Sequence, residues 1–421
     1  MRLKYVFPSS PAEDEARRKL EARIDLWWQD FAARAKDLPQ AFRGKLKFDF
    51  TTWTQNHFHD IHPEIMWEFG PGVRGGERLA ISAEANFVLQ PLVDLILERA
   101  PVIPNWTFIP YRPAVGMKWA EMYVKARTGL KLRTGANAYR IKVSTGHYNK
   151  IDLAIYSAKY SEARHKEELK MAGTAVQYLL GEEFFYNWLG ALSISKLSVM
   201  QTFFGRGLVS LPLLKPRVDA LMTTLRDQLY PEPMWKGGWQ NLSNREPSDK
   251  KGQQKVGTMF KLNAKKQDVY PRRTDEYVAV SEAAKIWEAT HLDSEFSSRR
   301  FSKHSELFCY LKIDMTGFSE KEILGLRYDI QEKLDELLNK AQAGCAIGGA
   351  TGYVYSYIDL ALSNVPASID RIRTCFREMN LTHRAWLLFF DKEFADEWVG
   401  VAEDTPEPPG YRDALTGVEK I

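Results

Sequence analysis

The sequence predicts a mixed α+β protein made of two tandem ferredoxin-like (split βαβ) domains from an internal duplication, with an N-terminal helix and a basic linker. Two observations predict this fold class. In the C-terminal third, strand-like and helix-like patterns alternate in the order β-α-β-α-β, and the Gly-rich piece before Gly352 could add a short strand to give β-α-β-β-α-β. The chain also matches itself twice: YNKIDLAIYS (148–157) aligns with YSYIDLALSN (355–364), and GEEFFYNWLGAL (181–192) aligns with DKEFADEWVGVA (391–402). The matched segments lie roughly 200 residues apart, and a repeat of that length indicates a duplicated domain rather than a solenoid.

The N-terminal elements follow from hydrophobic spacing. Apolar residues at helical intervals, among them Leu20, Ile24 and Phe31, predict a helix over residues 12–36. Pro39 ends this helix. The elements predicted next are strands at 64–69 and 78–82, a helix at 88–99, and an edge strand at 106–113, where Pro110 cannot donate to a ladder.

The C-terminal third has the clearest pattern. Ser319 and Glu322 form a capping box that predicts the start of a helix. Gly344 is expected to close that helix as a left-handed cap. Pro366 begins a second helix, and strands are predicted at 306–313, 352–362 and 385–390.

These elements predict five parts of the chain. They are the N-terminal helix and lead-in (1–59), a first α/β domain (60–200), a helix and exposed linker (201–255), a second ferredoxin-like domain (256–405) and a tail (406–421). The Pro, Gly, Ser and charged residues of 231–255 are typical of an exposed linker. If the two domains are copies, Ile151 and Ile358 must occupy corresponding places in the fold.

Composition restricts the class of function. The 421 residues carry a formal net charge of only +4, so the chain is not a polycation that coats nucleic acid. Three cysteines without paired spacing predict neither a disulfide framework nor a zinc ribbon. Because neither a signal peptide nor a membrane span is predicted, we expect a cytoplasmic protein with no membrane partner. No nucleophile elbow or phosphate loop is present, and the carboxylate pairs Glu182/Glu183 and Glu393/Glu397 are interpreted as structural.

Strand alternation predicts a contact surface. It separates an apolar face, which packs under helices, from a polar-aromatic face. In a sheet with helices on one side only, the second face stays open unless another domain or a partner covers it. Aromatic side chains are common at binding surfaces. The surface predicted to contact the other domain or a protein partner consists of Tyr353, Tyr355, Tyr357, Asp359, Tyr148, Lys150 and Asp152.

A histidine-rich segment provides an alternative function. In NHFHDIH, the imidazoles of His57, His59 and His62 could converge with Asp60 on Zn²⁺ or another divalent ion if the segment is a loop. The pattern is similar to the His-x-His-x-Asp-His of metallo-β-lactamase-type hydrolases, although the order differs and no downstream ligands follow. A metal-dependent hydrolase using this loop is therefore the first alternative, and otherwise no cofactor is predicted.

A basic segment provides a second alternative. Residues 245–273 contain nine basic and three acidic side chains, which could bind phosphates. A ferredoxin-like sheet with exposed tyrosines is also similar in outline to RNA-recognition domains, although their signature motif is absent. RNA or DNA binding through residues 245–273 is therefore the second alternative.

Several long runs carry a family resemblance. The run DVYPRRTDEYVAVSEAAKIWEATHLDSEFSSRRFSKHSELFCYLKIDMTG (268–317), with GGATGYVYSYIDLAL and WLLFFDKEFADEWVGV, resembles a family of uncharacterised bacterial two-domain proteins. MWEFGPG and WTFIPYRP extend the resemblance into the N-terminal half. The resemblance implies a bacterial cytoplasmic setting and carries no catalytic residue across. From the sequence we expect a non-catalytic protein-binding or regulatory module, with a toxin-neutralising (immunity-like) role as one form of it.

Overall fold

The computed structural model describes residues 5–7, 10–72, 75–133, 135, 138–198, 207–237, 257–265, 273–402 and 404–409. The chain forms two compact units. The first unit is Leu20–Gln228, and the second unit is Met1–Lys19 together with Leu229–Ile421. The mixed α+β composition is confirmed. Residues 1–59, which the sequence analysis separated as a lead-in, are divided between the two units.

The first unit contains two sheets and most of the N-terminal helix. Helix α1 (Pro11–Arg34) begins in the second unit and continues into the first. The remaining helices are α2 (Leu38–Phe42), α3 (Phe50–Ile61), α4 (Gln90–Glu98), α5 (Met117–Thr128), α6 (His165–Leu180), α7 (Glu182–Asn187) and α8 (Leu214–Asp227). The strands are β1 (Met66–Pro71), β2 (Glu77–Ser82), β3 (Trp106–Pro110), β4 (Tyr139–Thr145), β5 (Ile151–Ser157), β6 (Leu189–Lys196) and β7 (Leu208–Val209).

Helix α1 packs on a three-stranded sheet with the order β1-β2-β3. Strands β1 and β2 are antiparallel, and β2 and β3 are parallel. The predicted apolar stripe of α1 faces this sheet: the ring of Trp28 lies edge-on to that of Phe108, with centroids 4.7 Å apart, and Phe31 contacts Trp106 at 4.8 Å. Trp28 Nε1 also donates to the carbonyl oxygen of Ile96 at 2.7 Å, which satisfies the buried indole.

The second sheet of the first unit has the order β6-β5-β4-β7. Strands β4 and β5 form an antiparallel hairpin, and β5 is parallel to β6, reached through α6 and α7. The alternation predicted for β5 is confirmed, because Ile151, Leu153 and Ile155 are buried in a core with Val176 of α6.

The second unit is built around one seven-stranded antiparallel sheet with the order β14-β13-β10-β12-β11-β9-β8. Its helices are α9 (Ala284–Leu292), α10 (Glu320–Lys340) and α11 (Val365–Glu378). Its strands are β8 (Thr258–Lys261), β9 (Glu276–Ser281), β10 (Leu307–Asp314), β11 (Gly344–Gly352), β12 (Tyr355–Leu362), β13 (Ala385–Phe389) and β14 (Trp398–Gly400).

The central strands of this sheet have the split βαβ order. Helix α10 joins β10 to β11, and β12 lies between these two strands. Helix α11 joins β12 to β13, and β10 lies between them. This is the arrangement predicted for the second domain. Ile330 of α10 and Ile372 of α11 share a core with Leu311 and Ile358, so both helices cover the same face of the sheet.

The first unit does not repeat this topology. Strands β5 and β12, which hold Ile151 and Ile358, each follow an antiparallel partner and precede a helix. However, β6 lies directly beside β5, whereas β10 separates β13 from β12. The second self-match aligns β6 with β14, an edge strand paired with β13. The prediction of a ferredoxin-like first domain is therefore wrong. A strand that packs one face under helices shows the same two-residue alternation in any sheet, so the sequence match between the two halves reflects a local pattern and not a shared topology.

Helix α10 begins as predicted. Ser319 is its N-cap, and the backbone N–H of Ser319 donates to Glu322 Oε2 at 2.8 Å in a complete capping box. The expected left-handed cap at Gly344 is wrong, because Gln342 (φ 55°) holds that conformation and Gly344 starts β11. Glycine is needed at 344 because a Cβ there would lie 2.5 Å from the carbonyl oxygen of Ala361.

Asp391, which follows β13, holds the segment that precedes β10. It accepts hydrogen bonds from the backbone N–H of Ser298, at 2.7 Å, and from the Ser298 hydroxyl. Ser298 Oγ in turn accepts from the backbone N–H of Phe308 at 2.9 Å. Burial raises the pKa of Asp391 to about 6, although the bonds from Ser298 lower it.

This raised pKa predicts a pH dependence that Asp391→Asn should remove. The folded state binds the proton more tightly than the unfolded chain, whose aspartates titrate near about 3.9. Stability should therefore fall as pH rises from about 4 to 6. Between pH 4 and 7, wild type should lose roughly 2 kcal/mol of unfolding free energy relative to Asp391→Asn, measured by urea unfolding. Asp370→Asn, at an exposed site on α11, should follow wild type; parallel curves for wild type and Asp391→Asn would contradict the prediction.

Candidate functional site

The polar-aromatic face predicted in the second unit is an internal surface. Tyr355, Tyr357 and Asp359 lie on one face of β12, as the alternation predicts. All three are buried, with Tyr357 0% and Asp359 2% exposed. Tyr353 precedes β12 and is 51% exposed. Tyr355, Tyr357 and Asp359, predicted to contact the other domain or a protein partner, are therefore closed off from solvent.

The chain of the second unit itself covers this face. The ring of Trp287 in α9 belongs to the same buried cluster as Tyr310 and Tyr357. The guanidinium of Arg273, just before β9, lies 4.9 Å from the ring centroid of Tyr310, 5.1 Å from that of Tyr357 and 5.2 Å from that of Phe390. Tyr357 of the predicted contact surface thus packs, together with Tyr310 and Phe390, around a buried cation.

Arg273 is the centre of a group of ionisable side chains that we call the arginine cluster (Arg273, Glu276, His291 and Asp359). Its Nη1 lies 2.5 Å from Asp359 Oδ1, its Nε 2.5 Å from Glu276 Oε1 and its Nη2 2.7 Å from His291 Nε2. Burial lowers the pKa of Arg273, but the carboxylates of Asp359 and Glu276 outweigh burial and raise it overall. The cluster therefore holds a permanent cation against two buried anions.

His291 is neutral in this cluster. Burial and the charge of Arg273 lower the pKa of His291 to about 3. Its Nε2 therefore accepts from Arg273, and its Nδ1–H donates to the carbonyl oxygen of Trp287 at 2.8 Å. An imidazole fixed in this way does not exchange protons near neutral pH, so the cluster is a structural element rather than an acid–base site.

Asp275 closes the same region. The hydroxyl of Tyr357 donates to Asp275 Oδ1 at 2.5 Å, and the backbone N–H groups of Val354 and Tyr355 donate to Oδ2 at 3.1 Å. A Cβ at Gly352 would lie 2.2 Å from that oxygen. The turn between β11 and β12 is thus tied to the segment before β9, which explains why the tyrosine face is not free.

The corresponding residues of the first unit do not form one strand face. Tyr148 (φ 56°) and Lys150 belong to the turn before β5, and all three predicted residues, including Asp152, are half-buried. Asp152 Oδ1 accepts from the backbone N–H of Ala191 at 2.7 Å and lies 2.2 Å from where a Cβ at Gly190 would stand. Asp152 therefore joins β5 to β6, which is a structural role.

The predicted metal ligands do not converge. The segment is helix α3 rather than a loop, so His57 and His59 point to different sides of the helix. His57 Nε2 lies 3.0 Å from Asp30 Oδ2, and His59 Nε2 lies 2.9 Å from the side-chain nitrogen of Gln55. His62 follows the helix as its C-cap. The backbone carbonyl oxygen of Asp60 accepts a hydrogen bond from Arg23 Nη1 at 2.6 Å. Among the residues that the structure describes, no group of three or more His, Cys, Asp or Glu could hold a metal ion.

The two carboxylate pairs make structural contacts. Glu182 Oε2 accepts from the hydroxyl of Ser82 and from the backbone N–H of Arg112, each at 2.8 Å. Glu397 accepts from the backbone N–H groups of Tyr5 and Phe7 at 2.9 and 3.2 Å. These contacts satisfy buried backbone donors rather than hold a reacting group.

Most of the basic segment 245–273 lies outside the described residues, as do residues 238–256 of the predicted linker and residues 410–421 of the tail. Lys261 ends β8, and Lys265 follows it. Arg273 is buried in the arginine cluster and does not reach a phosphate from solvent.

An open surface that the sequence analysis did not identify lies along β1. A cavity of about 490 Å³ is lined by residues 67–71 of β1, which include Trp67 and Phe69, and by two further aromatic side chains, Phe42 and Phe50. The ring centroids of Phe42 and Phe69 are 4.9 Å apart, those of Phe42 and Phe50 are 4.9 Å apart, and those of Trp67 and Phe69 are 5.5 Å apart. We call this surface the aromatic groove (Phe42, Phe50, Trp67 and Phe69).

Strand β1 is an edge strand whose outer side faces this groove. Gly72 N donates to Gly76 O at 3.0 Å, continuing the ladder in which even-numbered residues of β1 bond to β2. The backbone groups of Trp67 and Phe69 therefore point away from β2. No described residue accepts a hydrogen bond from either N–H. Pro71, at the end of the strand, has no N–H.

Two ion pairs border the groove. Arg43 Nη2 lies 3.1 Å from Glu77 Oε1, and the Arg43 side chain is 64% exposed. Arg78 Nη2 lies 2.6 Å from Glu68 Oε1, with the Arg78 side chain largely buried. Each carboxylate is thus paired with an arginine, and the exposed guanidinium of Arg43 is accessible to a partner.

The first unit has a second cavity next to the aromatic groove, with a volume of about 570 Å³. Arg43 and Glu77 line both cavities, so their ion pair forms the wall between them. The second cavity is lined on its far side by Val102, Pro104 and Trp106. Val102 is fully exposed at its rim.

The second unit contains a cavity of about 540 Å³ beside α10, lined by Trp235, Tyr328, Glu332 and Asp335 among others. Burial raises the pKa of Asp335, although its bonds to Ala346 and Asn339 lower it. Both oxygens of Asp335 accept hydrogen bonds from this unit, at 2.8 Å each. The buried carboxylate at this cavity is therefore already satisfied.

The sequence contains a signal for the groove. In EIMWEF, Trp67 and Phe69 alternate with Met66 and Glu68, so the strand has large side chains on one face without a clean polar face on the other. The contribution of Phe42 and Phe50 comes from α2 and α3 and could not be read from this pattern.

No family model, curated protein or solved structure matches this chain. The bacterial cytoplasmic setting implied by the resemblance stays a prediction. None of the described helices is long and apolar enough to cross a membrane. The aromatic groove is the surface on which a functional proposal can be based.

The arginine cluster predicts a large stability effect for Arg273→Met. This change leaves Asp359 and Glu276 buried without their cation, and removing one partner of a buried ion pair costs about 3–5 kcal/mol. Urea unfolding should show a loss of this size. Arg371→Met, at an exposed site on α11, should stay within about 0.5 kcal/mol of wild type. A loss for Arg273→Met no larger than for Arg371→Met would contradict a structural role.

Proposed function

We propose that the chain is a non-catalytic protein-binding module that receives an extended segment of a partner protein along the free edge of β1. The outward backbone N–H groups of Trp67 and Phe69, which have no described acceptor, are the observation that carries this proposal. An extended peptide can add to such an edge as a further strand, and main-chain hydrogen bonds then provide part of the affinity.

The aromatic groove supplies the side-chain contribution. A cavity of about 490 Å³ beside the edge is large enough for an aromatic or branched aliphatic side chain of the added strand. Phe42, Phe50, Trp67 and Phe69 would bury that side chain, and large apolar anchors of this kind dominate protein interfaces. A toxin would be one such partner.

Two other functions have less support. A single-stranded nucleic acid would also stack on aromatic rings, but an extended peptide in addition supplies main-chain acceptors for the outward N–H groups of Trp67 and Phe69. A metal-dependent hydrolase is not proposed, because the described histidines do not converge.

Site-specific photo-crosslinking tests the proposal. Phe50 is replaced by a benzoylphenylalanine, and the variant is irradiated in lysate of the source organism. We expect a covalent adduct with a partner protein that disappears when Trp67→Ala is added. The same photoreactive residue at Tyr328, 49% exposed on α10, serves as the control and should not give this adduct. Absence of an adduct at residue 50, or one that persists in Trp67→Ala, would contradict the proposal.

A matched pair of variants separates the two contributions. Phe69→Ala and Phe69→Pro both remove the ring, but only proline also removes the outward N–H, and it breaks no bond to β2. With the crosslinked partner, Phe69→Ala should weaken binding roughly tenfold or more. Phe69→Pro should weaken it about fivefold further, since a hydrogen bond contributes about 1 kcal/mol. Isothermal titration calorimetry measures both; equal affinities would rule out strand addition.

A further inference from the structure

The proposed function identifies an edge and one anchor, and the second cavity gives the partner a more specific chemistry. We infer that the partner segment carries two apolar side chains with an acidic residue between them. One apolar side chain occupies the aromatic groove, the other occupies the cavity at Val102, and the carboxylate binds Arg43. This inference rests on the proposed function.

The two cavities lie in sequence around the same end of the sheet. The aromatic groove follows β1, and the second cavity lies where β3 begins, at Trp106. The added strand lies one strand spacing outside β1, and neighbouring strands are about 4.8 Å apart, so the distance from the added strand to β3 is roughly 14 Å. About four extended residues span this distance. The two apolar side chains of the partner should therefore be about four to five positions apart.

The second cavity is apolar on most of its walls. Ala32 of α1, Ala35 just after it and Pro39 of α2 form one side, and Val102 and Pro104 form the other. Val102 is 100% exposed, so an apolar group seated there removes a valine side chain from water. These lining residues favour an aliphatic or aromatic side chain over a polar one.

The wall between the cavities explains the acidic residue. The Arg43 side chain is 64% exposed, and its ion pair with Glu77 at 3.1 Å is of the kind that contributes little in water. Lys36 also lines the second cavity and is exposed. Lys45 and Lys47 extend this positive charge along the exposed turn after Arg43. A carboxylate on the partner can therefore replace Glu77 as the counter-ion of Arg43, and a basic residue there would be repelled.

A phage library of random twelve-residue peptides is the probe. The library is selected on the full chain, and binders are retained when Trp67→Ala abolishes their capture. We expect the retained peptides to share two apolar residues about four to five positions apart with Asp or Glu between them. Enriched peptides with a single apolar position and no acidic preference would overturn the inference and leave the proposed function standing. Absence of any peptide that depends on Trp67 would overturn both.

Substitutions at Arg43 and Glu77, which separate the two cavities, should change the affinity for one consensus peptide in opposite directions. Arg43→Gln should weaken its binding roughly tenfold and flatten the salt dependence, because the charge pair is lost. Glu77→Gln should strengthen binding a few-fold, because Arg43 is released from its own partner. Val102→Asp should weaken the two-anchor peptide and leave a peptide with its second anchor replaced by Ala nearly unchanged. Equal affinity of wild type, Arg43→Gln and Glu77→Gln would refute the assignment of the carboxylate.

Discussion

The ion pairs of Arg273 determine which surfaces of the second unit are available. Arg273 stands just before β9, and Asp359 stands 86 positions later in β12. Their contact brings the segment before β9 onto the polar-aromatic face of the sheet, where three aromatic rings surround the guanidinium. A face that helices leave open is thereby closed by the chain of its own unit. Within this cluster the carboxylates of Asp359 and Glu276 offset the buried charge of Arg273.

Local elements of this fold are predictable because local physics determines them. The capping box at Ser319, the apolar stripe of α1 and the alternation of β5 each involve residues within one element. The closure of the tyrosine face is not predictable in this way, because an exposed strand face and a face covered by buried ions have the same alternating pattern. The histidine segment shows that even a short pattern can be ambiguous. His57 and His59 could converge if the segment formed a loop but not in the helix that it forms, and their spacing alone does not distinguish the two.

The internal match shows how a local pattern differs from a fold. Ile151 and Ile358 each lie on the helix-covered side of a strand that follows a turn and precedes a helix. That much is specified by alternation and turn residues. Which strand lies beside it is specified by packing between distant parts of the chain: β6 pairs with β5, whereas β10 enters between β12 and β13. Sheet order is therefore a long-range property, and a short identity in one strand does not determine it.

The edge of β1 is limited in a way that favours a short and specific partner. A long free edge would pair with any extended chain and lead to aggregation, and proteins commonly interrupt such edges. Here Pro71 has no N–H, so Trp67 and Phe69 are the residues of β1 that offer outward N–H groups. With their outward carbonyl oxygens they allow about four main-chain bonds of about 1 kcal/mol each, which the cost of association, at least about 4 kcal/mol, offsets. Most of the binding energy must come from side chains entering the aromatic groove, and for this reason selectivity depends on the partner's sequence rather than on its backbone.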